Sequence, residues 1–195
     1  ALEQVAGISF DEWGIRPHDR MLGGANPQHC QNLYRILYAL SAITAQPRYA
    51  EEADGSLRHF FAHCQSPATG LFYWGEHAGW DLRNDGPLKK PSGDTHEFYR
   101  PWMLWDRSWT LAPGACHRFA LGLWEHQIGN QQTGDYSRHA KISAHGPGTE
   151  APYARHGGFY IETWAEAYEK TGEKVFLRAI ESVLDGLERA RLHEG

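Results

Sequence analysis

The sequence has no apolar stretch approaching the roughly 20 residues that a membrane-spanning helix needs, so a soluble chain is expected. It also lacks a cationic surplus. The net charge is -5, with 19 Lys and Arg against 24 Asp and Glu. Binding to nucleic acid by counterion release requires Lys and Arg massed on one face, and the absence of any such run excludes that partner. Cysteine is scarce as well. Cys30, Cys64 and Cys116 form no C-x-x-C pair, which excludes a zinc knuckle or dithiol motif and leaves buried free thiols as the expectation. The N-terminus has no basic region followed by an apolar one. A cleaved leader leaves no trace, so the compartment stays open between the periplasm and cytoplasm of a bacterium, and no membrane partner is expected.

Against these absences stand 12 His, 8 Trp, 9 Tyr and 8 Phe in 195 residues. The composition, 41% hydrophobic and 22% charged, is that of a folded globular protein, and one domain over 1–195 is the expectation. Leu33, Ile36, Leu37, Leu40 and Ile43 recur at helical spacing after Pro27, which suits a helix start. Gln46 and Pro47 break this pattern. Tyr49, Ala53, Leu57, Phe60 and Phe61 then form a second helical face, completing a hairpin. A similar hairpin is predicted near the C-terminus. There Phe159, Thr163, Trp164, Ala167 and Tyr168 precede Thr171 and Gly172, and Val175, Leu177, Ile180, Leu184 and Leu187 follow, with Gly172 as the helix stop. Between the two hairpins, Pro113 opens a helix expected to run through Ala120, Leu123 and Trp124 to Ile128. Aligning Tyr49 with Phe176 brings Ala53 onto Ile180 and Leu57 onto Leu184, a weak internal similarity. The fold class is therefore mainly all-α, with helical hairpins forming part of an α/α barrel or toroid. About three hairpins do not close such a ring, so exposed apolar stripes are expected unless another chain or a further segment covers them.

The segment 67–112 is rich in Gly, Pro and aromatics and has little helical period. Long irregular segments in compact domains are usually binding or catalytic, and short strands near Leu71 to Trp74 and Trp80 to Leu82 fit its composition. It holds Trp74, Gly75, Glu76, His77, Ala78, Gly79, Trp80 and Asp81, then His96, Glu97, Phe98, Tyr99 and Arg100, then Trp105, Asp106 and Arg107. Imidazole and carboxylate are the usual donors to a borderline divalent metal. The plainer alternative has His77 and His96 bonding loop backbone while Glu76, Asp81 and Asp106 cap helices or pair with Arg83, Arg100 and Arg107. A second cluster, Asp135, Tyr136, Ser137, Arg138 and His139, is read as entering a helix, with Lys141, His145, Arg155 and His156 close behind. Cations beside a metal site favour an anionic substrate, here a uronic acid. Trp74, Trp80 and Trp105 are candidates to stack on sugar rings, and Arg100, Lys141 and Arg155 to bind carboxylates. An Asp135–Arg138 pair with His139 as an ordinary helix residue is the alternative.

The early His77, Glu97 twenty positions later and the adjacent Arg138 and His139 resemble the metal-dependent pectate lyases of polysaccharide lyase family 2, α/α-barrel enzymes of polysaccharide degradation. The resemblance implies that His77, Glu97 and His139 ligate a divalent metal, with manganese favoured over calcium, magnesium or another transition metal. It implies Arg138 as the base that removes the C5 proton of galacturonate, and an acidic polysaccharide as substrate. The chain is far shorter than the family's members, so it covers part of such a barrel and is expected to associate or to lack a segment. The pair His96 and Glu97 leaves open which histidine, 77 or 96, is the ligand.

Arg is not deprotonated in proteins under ordinary conditions. If Arg138 keeps its charge it binds the substrate carboxylate, and Lys141, Tyr136 or His145 becomes the candidate base. Two rivals remain at this stage. A glycoside hydrolase would need two carboxyl groups roughly 5 to 9.5 Å apart, drawn from Glu76, Asp81, Glu97 and Asp106. A non-catalytic sugar-binding module would keep the aromatic contacts and lose turnover.

Overall fold

The computed structural model describes residues 24–25, 27–75, 77–81, 86–87, 94–144 and 153–193. The described residues are mostly helical. Six α-helices are present among them: α1 (Pro27–Thr44), α2 (Arg48–His63), α3 (Trp105–Leu111), α4 (Pro113–Gly122), α5 (Ala154–Thr171) and α6 (Lys174–His193). Short strands fill the gaps: β1 (Gly24–Ala25), β2 (Trp80–Asp81), β3 (Gly86–Pro87), β4 (Thr95–Glu97), β5 (Ile128–Asn130), β6 (Asp135–Tyr136) and β7 (His139–Lys141). They form a three-stranded sheet in the order β1-β2-β3 and two ribbons, β4-β7 and β5-β6. No described helix is long and apolar enough to cross a membrane.

Hairpins α1–α2 and α5–α6 follow the predicted punctuation. Gly172 closes α5 at φ +70°, its amide donating to the Tyr168 carbonyl at 2.7 Å. Glycine takes this left-handed conformation without steric cost, which is why the helix stops there. Cys64 and Cys116 are buried, Cys30 is half-buried, and none of the three forms a disulfide.

Several local expectations need correction. Segment 67–112 is not irregular throughout, because Trp105–Leu111 is helical. Its buried face is Trp105, Ser108 and Trp109, at a spacing too short to read as a period from sequence. The helix from Pro113 stops at Gly122, a π-helical turn covers Leu123–Gln127, and Ile128 starts a strand. Arg138 and His139 do not enter a helix, since Asp135–Tyr136 and His139–Lys141 are strands. Of the two predicted short strands, Phe72 forms an isolated bridge with Gln65 and Trp80–Asp81 is β2. Leu82 lies outside the described residues.

Much of the stripe assigned to α1 points the other way, although Leu37 is half-buried against the core. Its buried residues are Pro27, Gln28, Gln31 and Tyr34, whereas Ile36, Leu40 and Ile43 are 56%, 37% and 81% exposed. Polar bonds decide this orientation. Gln31 Nε2 donates to the Pro101 carbonyl at 2.9 Å, the amides of Tyr99 and Arg100 donate to Gln28 Oε1, and the Tyr38 hydroxyl donates to Asp54 Oδ1 at 2.8 Å. Arg107 pairs with the same buried carboxylate, holding α3 to α2. An exposed apolar stripe is thus present on α1. In α6 the buried residues are Phe176, Ala179 and Val183, and Leu184 is exposed, so the suggested match of Leu57 with Leu184 does not hold.

Aromatic rings make the core. Trp74 has no exposed surface, and Phe72, Phe119, Phe98, Trp102 and Phe60 surround it at centroid distances of 4.9 to 5.9 Å. Trp80 and Trp105 are buried beside it. Large rings in such numbers supply most of the apolar burial available to a chain of this size. Trp74, Trp80 and Trp105 therefore serve the core and do not offer faces on which a sugar could stack.

Candidate active site

Strands β4 and β7 pair antiparallel with Glu97 opposite His139, His96 opposite Ala140 and Thr95 opposite Lys141. Directly opposed residues share a face and alternate residues change face. Glu97 and His139 are therefore side by side, Lys141 lies on the His139 face, and His96 points away. His77 joins them from a separate turn. At Gly75 (φ +110°) the chain lies so close to β4 that a Cβ there would sit 2.2 Å from the Glu97 carbonyl oxygen, and only glycine permits the approach.

Glu97 is the floor of the site, with no exposed surface. Its Oε2 is 3.7 Å from His77 Nε2 and 3.6 Å from His139 Nε2, and the two imidazoles meet edge to face at 4.8 Å. One ligand atom from each of the three lies within 4.8 Å of the others. On the other side, Glu97 Oε1 is 3.4 Å from His156 Nε2 and 4.0 Å from Arg138 Nε. Burial pushes the Glu97 carboxyl up, but the His139 and His156 imidazoles and the Arg138 guanidinium outweigh it and hold the group well below the usual carboxylate range. Neither Glu97 oxygen and neither His156 ring nitrogen makes a hydrogen bond. Such buried polar atoms are uncommon without a partner. Two imidazoles and an ionised carboxylate suit a borderline divalent cation, so the residues present fit such an ion.

His96 is excluded as the alternative ligand because both its nitrogens are committed. The Trp74 indole, a donor only, donates to His96 Nε2 at 3.1 Å, so Nδ1 carries the proton and donates to Gln127 Oε1 at 2.8 Å. Gln127 in turn donates to the Ser137 carbonyl at 2.6 Å. The π-helical turn that delivers Gln127 thus ties β4 to the approach to β7. Burial pulls the His96 pKa from 6.5 down to about 4. A histidine depressed on folding stabilises the protein fully above its unfolded value, and that stability declines as the pH falls from about 6.5 toward about 4. A loss of about 2 kcal/mol in unfolding free energy is expected between pH 7 and pH 5, read from urea midpoints. His96→Gln removes the titrating group and should flatten the profile. A wild-type midpoint that does not move over this range would contradict the assignment.

The structure brings His77, Glu97, Arg138 and His139 together as one site. Arg155 is close by, since Arg138 and Arg155 lie over the same Tyr153 ring at 5.6 and 5.9 Å, and Arg100 lies over Tyr99 at 5.5 Å. Tyr136 is not available as a base, because its hydroxyl donates to the Tyr153 carbonyl at 2.9 Å and burial raises its pKa. Asp106 pairs with Lys170, and Arg107 with Asp54. Glu76, Arg83 and His145 lie outside the described residues. In the sequence His156 is only one of several histidines, lysines and arginines in its cluster. Its signal was the second Arg-His pair, Arg155 and His156, which places a histidine on Glu97 as the first pair does.

Strands β4 and β7 and the turn at His77 therefore set two imidazoles and a buried carboxylate beside the Arg138 guanidinium, within a mostly α-helical protein. A family model described as periplasmic pectate lyase matches residues 12–184, and the chain belongs to that family. It is also similar to the pectate disaccharide-lyase of Dickeya dadantii (strain 3937), with 24% identity over 139 residues, 70% of this chain and 25% of the relative. The chain thus spans about a quarter of the length of that curated relative.

Proposed function

We propose that this chain carries the catalytic centre of a metal-assisted polysaccharide lyase that cleaves pectate or a related polyuronate by β-elimination. The cross-strand pair of Glu97 and His139, completed by His77 and flanked by Arg138, carries the reading. His77, Glu97 and His139 would hold the ion, with manganese favoured. Once bound, the metal supplies a Lewis acid to the C6 carboxylate and spreads the charge that develops as the C5 proton leaves.

The chain's own residues account for the remaining needs. Glu97, held ionised, acts as a ligand and has no proton to give. Arg138 sits on the Oε1 side of Glu97 and is the group proposed to meet the C5 proton. While it carries its charge it binds the uronate carboxylate, and Lys141 on the same face of β7, as its neutral amine, then takes the proton. The electron pair of the broken C5–H bond forms the C4–C5 double bond, and the C4–O4 bond breaks with its pair going to O4, which takes up a proton in place of the one lost from C5; no water adds. An inverting or retaining hydrolase finds less support. Its general acid would need a raised pKa, the opposite of Glu97, and Asp106 is exposed and paired with Lys170. The family's description supports a periplasmic location.

The test is a metal analysis of the purified protein together with ultraviolet detection of unsaturated uronide on polygalacturonate, with and without chelator. Co-purified metal, loss of product with chelator and recovery with manganese are expected. Unchanged activity in metal-free protein would refute the metal role, and new reducing ends without ultraviolet absorbance would favour the hydrolase.

A further inference from the structure

A cleft of about 410 Å³ opens between the N-terminal half of α1 and segment 99–103. Arg35, Arg100, Arg155, Asn32, Tyr99 and His29 are among its lining residues, and no described carboxylate lines it. Among the described residues none of these three arginines has an ion-pair partner, whereas Arg107 and Arg191 do. Three guanidinium groups facing one cleft without an anion repel one another, an arrangement that an incoming anion relieves. The cleft also has a flat aromatic wall, where His29 and Tyr99 stack with centroids 5.6 Å apart and planes 4° from parallel.

This cleft is continuous with the metal-ligand cluster. Arg155 lies over Tyr99 at 5.6 Å and over Tyr153 at 5.9 Å, and Arg138 lies over the other end of that contact at 5.6 Å from Tyr153. The residue after Arg155 is His156, 3.4 Å from Glu97. A track of alternating guanidinium groups and rings therefore leads from Glu97 into the cleft. Evenly spaced carboxylates on a chain of flat rings are what such a track matches.

We propose that the cleft is a second carboxylate subsite, holding a uronate unit of the same substrate chain beyond the unit at His77, Glu97 and His139. Arg35 is its new specificity residue, acting with Arg100 and Arg155. The proposal rests on the polyuronate-lyase reading and deepens it, because it makes affinity depend on oligomer length and on a free carboxylate at the distant unit. Small anions such as citrate or phosphate satisfy one guanidinium pair but not the aromatic wall.

The test is calorimetric titration of the full chain, wild type and Arg35→Ala, with digalacturonate, tetragalacturonate and methyl-esterified tetragalacturonate, in chelator to stop turnover. Arg35 is exposed and without an ion-pair partner among the described residues, so the variant should keep its helix content by circular dichroism. Arg35→Lys serves as the conservative control. Tetragalacturonate affinity should fall about tenfold in R35A, the scale of one lost guanidinium–carboxylate pair. Digalacturonate should be unaffected, R35K should lie between, and added salt should narrow the difference. The methyl ester should bind wild type about as weakly as the tetramer binds R35A. Equal tetramer affinity in wild type and R35A overturns the subsite, as does displacement by citrate at equal concentration. Product formation with Arg35-independent affinity removes the subsite and leaves the lyase reading intact. Arg35-dependent binding by a protein that gives no unsaturated product with manganese does the reverse.

Discussion

On the proposed metal-lyase function, Glu97→Gln is expected to abolish metal retention and to lower activity on the order of 10³-fold, because several kcal/mol of charge stabilisation would be lost with the ion. The substitution keeps the shape of the side chain and removes only its charge. His77, His139, His156 and Arg138 all lie within 4.0 Å of the carboxylate, so the neutral amide leaves a cluster of cationic and imidazole groups with no anion among them. Circular dichroism should show retained helix, since the aromatic core does not depend on that charge. Metal content by elemental analysis and initial rates by ultraviolet absorbance decide the matter. An E97Q protein with wild-type metal content and rate would remove Glu97 from the site. A protein that fails to fold would make the carboxylate structural.

Gly75→Ala should be the most damaging single methyl group near the site. The added Cβ would meet the Glu97 carbonyl oxygen at 2.2 Å and the Glu97 backbone nitrogen at 3.1 Å, at a φ of +110° that side chains rarely adopt. Strain of this kind and the overpacking that accompanies it cost about 2–5 kcal/mol together. Since the collision is with the backbone that carries Glu97, and His77 is two residues away, both stability and activity should fall. Gly55→Ala in α2 is the control, with nothing within 4 Å of the added atom. It should be neutral or stabilising by up to about 1 kcal/mol, as expected of alanine in a helix. Urea midpoints of the two variants give the comparison, and a G75A midpoint near wild type would show that the segment can move aside.

The helices were legible because burial writes itself at a period of 3.6 residues, and α2 and α5 bury much of what that period predicts. In α1 the same signal misled, since Ile36, Leu40 and Ile43 mark an uncovered face, and the inward face is held by amide and hydroxyl bonds of Gln28, Gln31 and Tyr38 that leave no apolar pattern. The site was legible in its residue types and order but not in its geometry. Strands of two or three residues, such as β6 and β7, are too short for alternation to show, so Arg138 and His139 read as a helix start. The choice between His77 and His96 could not be made from adjacency to Glu97, because it depends on strand alternation and on the indole of Trp74. The tryptophans misled for a related reason: rings that fill a core and rings that face a ligand have the same composition, and only enclosure by Phe60, Phe72, Phe98 and Phe119 distinguishes them.

The pairing of β4 with β7 makes the chemistry of the site a matter of counting residues. A slip of one position would set His96 or Phe98 opposite His139 in place of Glu97, exchanging the anion for an imidazole or a phenyl ring. The same slip would pull His96 away from Trp74 and Gln127 and turn Phe98 out of the aromatic core, exposing apolar surface. A misregistered chain is therefore penalised in its interior before it ever meets a ligand. The core-facing residues act as a proofreading device for the site-facing ones, and the order of three consecutive side chains in β4 and its continuation, His96, Glu97 and Phe98, keeps the two checks in step.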